Sequence, residues 1–237
     1  MPNHVAIVTG AGSGVGRATA IALAGAGHRI LLVSRTESSL EETRKLAMDL
    51  HPDADIIVAP ADVSEVSAAN EIVQKALDAW GRIDVLVNAA GGASLSAISE
   101  HDDQAFEDSF AVNAIGPARL VIACWPHWVQ QKSGCLVNVS SMSSIDPFPG
   151  FLAYGMGKSA MDGITRSACA EGRDLGIRAF TLNLGAVETP MLRGLFGTDM
   201  VPEEACLQPA EVAERIIDCV QGQLDDKMGE QIILCRE

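Results

Sequence analysis

Short runs of consecutive aliphatic and β-branched residues alternate along the chain with longer stretches whose apolar positions recur every third or fourth residue. The short runs, at residues 5–8, 30–33, 56–58, 85–87, 136–139, 178–182 and 232–234, predict seven strands. In the longer stretches, Val66, Ala69, Val73, Leu77 and Trp80 mark one face of a helix. Ala213, Ile216, Ile217 and Val220 mark another after Pro209, a residue suited to a first helical turn. Strands that are apolar throughout, each followed by a helix, predict a parallel sheet covered on both faces. The expected architecture is therefore one doubly wound α/β domain over residues 1–237, without repeat, low-complexity tract or linker. Residues 188–207 are rich in Gly, Pro and Met, and a connection of that length predicts a lid or binding segment.

Composition narrows the function classes. An apolar fraction of 48% in 237 residues fills one core, not two. The formal charge of −14 repels phosphate backbones and anionic lipid, and an aromatic content of 4% leaves few stacking platforms, so neither nucleic acid nor membrane is the expected partner. Cys124, Cys135, Cys169, Cys206, Cys219 and Cys235 lie far apart, and His4, His28, His51, His101 and His127 are scattered without ligand spacing. No metal site is expected. Unpaired cysteines and the lack of a leader-like or spanning apolar run point to a reducing, cytoplasmic setting.

The first strand runs into Thr9-Gly10-Ala11-Gly12-Ser13-Gly14-Val15-Gly16 and then a helix carrying Ala18, Ile21, Ala22 and Leu23. Glycines let the backbone turn sharply and approach a pyrophosphate, whose charge meets the free amides of the helix start. A dinucleotide site is implied, the bland alternative being a structural turn. Arg17 stands where the last glycine of Gly-x-Gly-x-x-Gly would be, and no Gly-Lys-Ser/Thr follows, which disfavours a nucleotide-hydrolysing loop. The second strand ends at Ser34-Arg35-Thr36, where a carboxylate would receive the ribose hydroxyls of NAD. Arg35 instead offers a cationic fork for a 2′-phosphate, so NADP(H) is favoured and NAD(H) is the alternative. A solvated arginine paired with Glu37 or Glu41 is the competing reading of the same residue. Asp62, with Val63 behind it, suits an adenine amino group or the cap of a helix starting near Ser64.

Asn88-Ala89-Ala90-Gly91 follows the fourth strand, Ser140-Ser141 the fifth, and Tyr154-Gly155-Met156-Gly157-Lys158 comes next. In this order, with the Thr-Gly-x-x-x-Gly-x-Gly turn before them, these motifs make the chain similar to the short-chain dehydrogenase/reductase family over essentially its whole length. The resemblance implies a Rossmann-type cofactor domain and a catalytic set of Asn113, Ser141, Tyr154 and Lys158. It also implies cofactor contacts from Asn88, Ala89 and Ala90 and from Gly185, Val187 and Thr189, with Lys158 holding the nicotinamide ribose. Family members commonly form homo-oligomers, here a dimer or tetramer, through the helices around Asn113 and after Tyr154.

Physical chemistry adds its own reasons. Helical i, i+4 spacing puts the Tyr154 phenol and Lys158 ammonium on one face. A free phenol titrates near pH ~10, and an adjacent ammonium with an oxidised nicotinamide would draw it down toward neutrality, making Tyr154 a general acid or base. Tyr154 is the only tyrosine in the chain. Ser141 would hydrogen-bond the substrate oxygen. Pro117 has no N–H, so the Asn113 carbonyl four residues earlier loses its helical partner and is free to hold a water of a proton relay; an ordinary kinked surface helix is the plainer reading. Two departures from the family pattern stand out: Asn183-Leu184-Gly185 lacks the usual Pro, and Ala90 replaces a second asparagine.

Residues 92–95 and 145–151, with Met191, Leu192, Leu195, Phe196 and Met200, supply mostly apolar candidate pocket walls, Arg193 being the single cationic exception. The expected function is NADP(H)-dependent interconversion of a ketone and a secondary alcohol, the substrate being a small apolar molecule. A 3-oxoacyl carrier-protein reductase is the nearest alternative, although the acidic chain offers no basic docking patch for an acidic carrier. A non-catalytic dinucleotide sensor is the alternative of another class.

Overall fold

The computed structural model describes residues 4–236. Seven parallel strands form its centre: β1 Val5–Thr9, β2 Arg29–Ser34, β3 Ile56–Pro60, β4 Val85–Asn88, β5 Gly134–Ser141, β6 Ile177–Leu184 and β7 Gln231–Leu234. Eight helices accompany them: α1 Gly14–Gly25, α2 Glu37–Leu50, α3 Ala68–Trp80, α4 Asp103–Phe110, α5 Gly116–Gln131, α6 Leu152–Gly172, α7 Pro190–Leu195 and α8 Pro209–Gln221. The sheet order is β3-β2-β1-β4-β5-β6-β7, so the direction in which parallel strands are added to the sheet reverses between β1 and β4. That reversal opens a crevice beyond the carboxyl ends of the central strands, where open parallel sheets bind their ligands.

Alternation of side chains along each strand sends residues to two cores. Ala6, Val8, Leu23, Leu32, Phe180 and Ile216 pack on the face covered by α1 and α8, and Val5, Ile7, Leu31, Leu86, Leu120 and Trp128 pack on the face covered by α3 and α5. Each fully buried aliphatic side chain contributes roughly 1.5–3 kcal/mol. All seven expected strands are present, extended by one or two residues at most ends.

Two expectations are corrected. Val66 stands before α3, is 74% exposed and takes no part in its buried face. The cause is Asp62, whose Oδ1 accepts from Ser64 N at 3.0 Å and Ser64 Oγ at 2.7 Å, holding the chain in a turn that delays the helix to Ala68. Asp62 therefore does not cap α3. Residues 188–207 are more ordered than a loop, since they contain α7 and a 3₁₀ turn at Glu203–Ala205.

Candidate active site

A cleft of about 900 Å³ crosses the carboxyl edge of the sheet. Gly10, Gly12, Ser13, Gly14, Val15 and Gly16 form its floor, and Ser34, Arg35 and Thr36 stand at the end of β2. Asp62 and Val63 follow β3, Ala89 and Ala90 follow β4, and Gly185, Val187 and Thr189 follow β6.

The glycines are needed for close approach. A Cβ at Gly10, where φ is +68°, would lie 2.7 Å from the Ala89 carbonyl oxygen, and one at Gly16 would lie 2.3 Å from the Gly10 carbonyl oxygen. Backbone thus folds on backbone ahead of the α1 N-terminus, leaving amides to face the cleft. Thr9 ties this turn to the next strand: its Oγ1 accepts from Ala89 N at 3.1 Å and Ala90 N at 3.0 Å. Arg17 turns away from the cleft to Glu42, Thr43 and the Gly12 carbonyl.

At the β2 end, Arg35 is exposed and, among the described residues, makes no ion pair; Glu41 pairs with Arg44 at 2.8 Å instead. A hydrogen bond from the Ser64 hydroxyl, with the positive charge of Arg35 as a lesser cause, holds the Asp62 carboxyl below its ordinary range. Ser39 also lines this end, and the sequence reading missed it. Its Oγ lies 2.3 Å from where a Cβ on Gly12 would stand, so a glycine there leaves room for a serine in the first turn of α2. The available signal was the run of hydroxyls Ser34, Thr36 and Ser39 around Arg35.

At the opposite end stand Ser141, Tyr154 and Lys158. Ser141 closes β5, and its Oγ accepts from Ser143 N at 3.1 Å. Lys158 is 4% exposed; its Nζ donates to the Val139 carbonyl at 2.8 Å and lies 5.8 Å from the centroid of the Tyr154 ring. Helix α6 reaches this position because two of its residues lack side chains. A Cβ at Gly155 would meet the Ser143 carbonyl oxygen at 2.7 Å, and one at Gly157 would meet Ser109 Oγ at 3.0 Å and Asn113 Cβ at 3.1 Å.

Burial lowers the Lys158 pKa to about 8, with Asp162 pulling the other way. Burial also raises the Tyr154 phenol above its ordinary value, opposed by a hydrogen bond with Ser141. Among the protein's own groups burial outweighs the Ser141 hydrogen bond, and the expected downward shift is one that also calls on an oxidised nicotinamide.

Two expected site residues stand behind the wall. Asn113 is fully buried in a π-helical turn, Ala111–Ile115, that interrupts the helix ahead of Pro117. Its Nδ2 donates to the Gly92 carbonyl at 2.9 Å and its Oδ1 accepts from Gly92 N at 3.3 Å, so its side chain fixes the segment after β4. Asn88 is also buried and donates from Nδ2 to Asn138 Oδ1 at 2.9 Å, bridging β4 to β5. Thr189 lines the cleft, but its Oγ1 is engaged as the cap of α7, accepting from Leu192 N at 3.2 Å.

The substrate end is apolar and aromatic. Phe148, Phe151 and Phe196 pack edge to face or tilted with centroids 5.6–6.2 Å apart, and Phe151 leans on Tyr154 at 5.1 Å. Met191, Leu192 and Leu195 line it as expected, whereas Met200 points outward at 66% exposure and Val201 takes its place. Of the wall segments, Ser94, Leu95, Ile145, Pro147, Pro149 and Gly150 stay off the cleft. Arg193 is not a clamp: it binds Glu188 through Nε at 2.8 Å and the Val201 carbonyl through Nη1 at 2.7 Å. The charged residues on this part of the wall are Asp108 and Asp146.

A glycine-built turn, a serine at a strand end and a tyrosine–lysine helix around one cleft are matched by a known family model, the short chain dehydrogenases, over residues 4–199. The chain belongs to that family. This short chain dehydrogenase is 33% identical over 221 residues to an uncharacterised oxidoreductase of Staphylococcus saprophyticus, covering 93% of this chain and 92% of the relative. Its structure resembles an alcohol dehydrogenase of Thermococcus sibiricus solved with 5-hydroxy-NADP, at 28% identity and TM-score 0.86, covering 98% and 96% of the two chains. Levodione reductase, at TM-score 0.93 and 24% identity over 99% of this chain and 97% of the other, shares the fold. The short chain dehydrogenase is thus an oxidoreductase on an NAD(P)-binding Rossmann-type fold. Among its described residues no helix is long and apolar enough to cross a membrane.

Proposed function

We propose that this dehydrogenase interconverts a ketone and a secondary alcohol with NADP(H), Tyr154 passing the proton. The observation that carries the reading is the placement of Ser141, Tyr154 and Lys158 at one end of a single cleft with an unpaired Arg35 at the other. The cleft fits the cofactor. Its glycine floor admits a pyrophosphate against backbone amides, Asp62 accepts from the adenine amino group, and Arg35 with Ser34, Thr36 and Ser39 meets a 2′-phosphate. Bound there, the dinucleotide supplies or removes the hydride.

The chain's own residues do the rest. Ser141 holds the substrate oxygen, Tyr154 donates a proton to it during reduction and accepts one during oxidation, and Lys158 secures the nicotinamide ribose. Because burial raises the phenol, Tyr154 stands protonated in the free enzyme, as a donor for ketone reduction must. The Lys158 ammonium beside it would favour the phenolate that alcohol oxidation needs. Asn113 acts at one remove, holding Gly92 beside the Lys158 end of the cleft.

The three phenylalanines favour an apolar ketone, and Asp108 with Asp146 repels anionic, carrier-linked acyl groups. Residues 188–207 serve as its lid, pinned at the base by the Glu188–Arg193 pair. Exposed Ile115, Ile122 and Met156 suit burial in a homo-oligomer. Oxidation of NADPH against a panel of neutral ketones tests the reading: turnover that prefers NADPH to NADH supports it, and cofactor binding with no turnover of any carbonyl supports the sensor instead.

A further inference from the structure

One turn after Lys158 on α6, beneath the chemical end of the cleft, lies a second buried charge. Asp162 is 2% exposed, and its Oδ2 receives hydrogen bonds from three elements. Ser144 Oγ donates at 2.7 Å from the turn after Ser141, Asn183 Nδ2 at 3.0 Å from β6, and Gln231 Nε2 at 3.0 Å from β7. Its Oδ1 is buried with no partner. An acceptor for three neutral donors needs no charge, and burying a carboxylate costs far more than burying an amide.

Lys158 supplies the reason for the charge. Its Nζ touches neutral groups, the Val139 carbonyl of β5 at 2.8 Å and Met161 Sδ at 3.8 Å, and lies 5.8 Å from the centroid of the Tyr154 ring. Asn113, facing it from the π-helical turn, is neutral, as is the backbone of Gly91 between them. Asp162 makes no direct ion pair with Lys158, but the i, i+4 spacing puts both on one face of α6, and its negative charge opposes the effect of burial on the ammonium.

We propose that Asp162 is a positioning residue for the chemical step: it locks the turn that carries Ser141 against β6 and β7 and gives the buried Lys158 its negative partner. The proposal rests on the roles given above to Lys158 and Tyr154. Asp162→Asn keeps an acceptor oxygen and removes the charge. Its kcat at pH 7.5 falls at least about tenfold, and the alkaline limb of its pH–rate profile moves down by about one unit, as removal of a buried counter-charge requires. Ser144→Ala, which loosens the same turn and keeps the charge, lowers kcat without moving that limb. An Asp162→Asn limb at the wild-type position overturns the proposal.

Thermal unfolding gives a second readout that needs no turnover. Asp162→Asn should lower the Tm more in the wild type than in a Lys158→Met background. Equal losses, or a failure to fold in both backgrounds, overturn the proposal; folding restored by Lys158→Met supports it. Failure of the oxidoreductase reading looks different, since the wild type itself would then reduce no ketone.

Discussion

The two ends of the cleft are built in opposite ways. At the nucleotide end the backbone makes the site: Gly10 and Gly16 bring main-chain atoms together, Gly12 and Gly14 leave room for neighbouring side chains, and Ser34, Arg35 and Thr36 around them are partly or fully in solvent. At the chemical end side chains make the site, and the group that matters most electrostatically, Lys158, is buried with Asn113 and Asp162. Solvent screens charges at the first end and burial strengthens them at the second. Shape therefore governs one end, and charge the other.

Substitutions at the two ends should separate binding from turnover. Tyr154 aside, the largest effect belongs to Lys158→Met, which removes the buried ammonium: kcat should fall roughly 10²- to 10³-fold, the range for losing one preorganised electrostatic group. A smaller effect is expected at the exposed end. Arg35→Ala should cost NADPH about 1.5–3 kcal/mol in kcat/KM, the worth of a charge-assisted hydrogen bond, and leave NADH within about twofold. Equal losses with both cofactors would show that Arg35 does not read the 2′-phosphate. Steady-state kinetics with each cofactor checks both variants.

The glycine turn offers a finer contrast. Gly16→Ala drives its Cβ into the Gly10 carbonyl oxygen at 2.3 Å, backbone that cannot step aside, whereas Gly12→Ala meets the side chains of Ser39 and Ser34. Overpacking of that kind costs typically 1–3 kcal/mol, so Gly16→Ala should lower the Tm clearly and Gly12→Ala much less. Equal Tm values would contradict the close-packed turn.

The smallest effect lies at the far end of β1. Burial, helped by the neighbouring His4, lowers His28 to about 4. Its ordinary value is 6.5, so between those limits the unfolded chain binds more protons than the folded one, and stability falls as pH drops from about 6.5 to about 4. His28→Phe should flatten that part of the Tm–pH curve. A curve parallel to the wild type would show that His28 titrates normally.

The contrast also explains how far the sequence could be read. Apolar runs located every strand, because a strand buried on both faces has no polar alternation to obscure it. The glycine spacing and the single tyrosine pointed to residues that line one cleft, since both are local signals. Val66 was misplaced because a short-range bond from Asp62 to Ser64 overrode helical periodicity. Asn88 was read as a cofactor contact and Asn113 as the holder of a relay water through its carbonyl; the pairing of their side-chain amides with Asn138 and Gly92 was not legible, because those partners lie 50 and 21 positions away. Arg193 looked like a free cation until the fold set Glu188 beside it. Nothing local marked Asp162, whose three donors come from three separate elements.

The central claim is that one phenol transfers the proton while the rest of the cleft only holds and orients. Single-turnover reduction of an apolar ketone by Tyr154→Phe saturated with NADPH tests it most directly. NADPH affinity should stay within about threefold of wild type while the reduction rate drops about 10²- to 10⁴-fold, the span of general acid catalysis. Reduction at the wild-type rate with the cofactor fully bound would contradict the account.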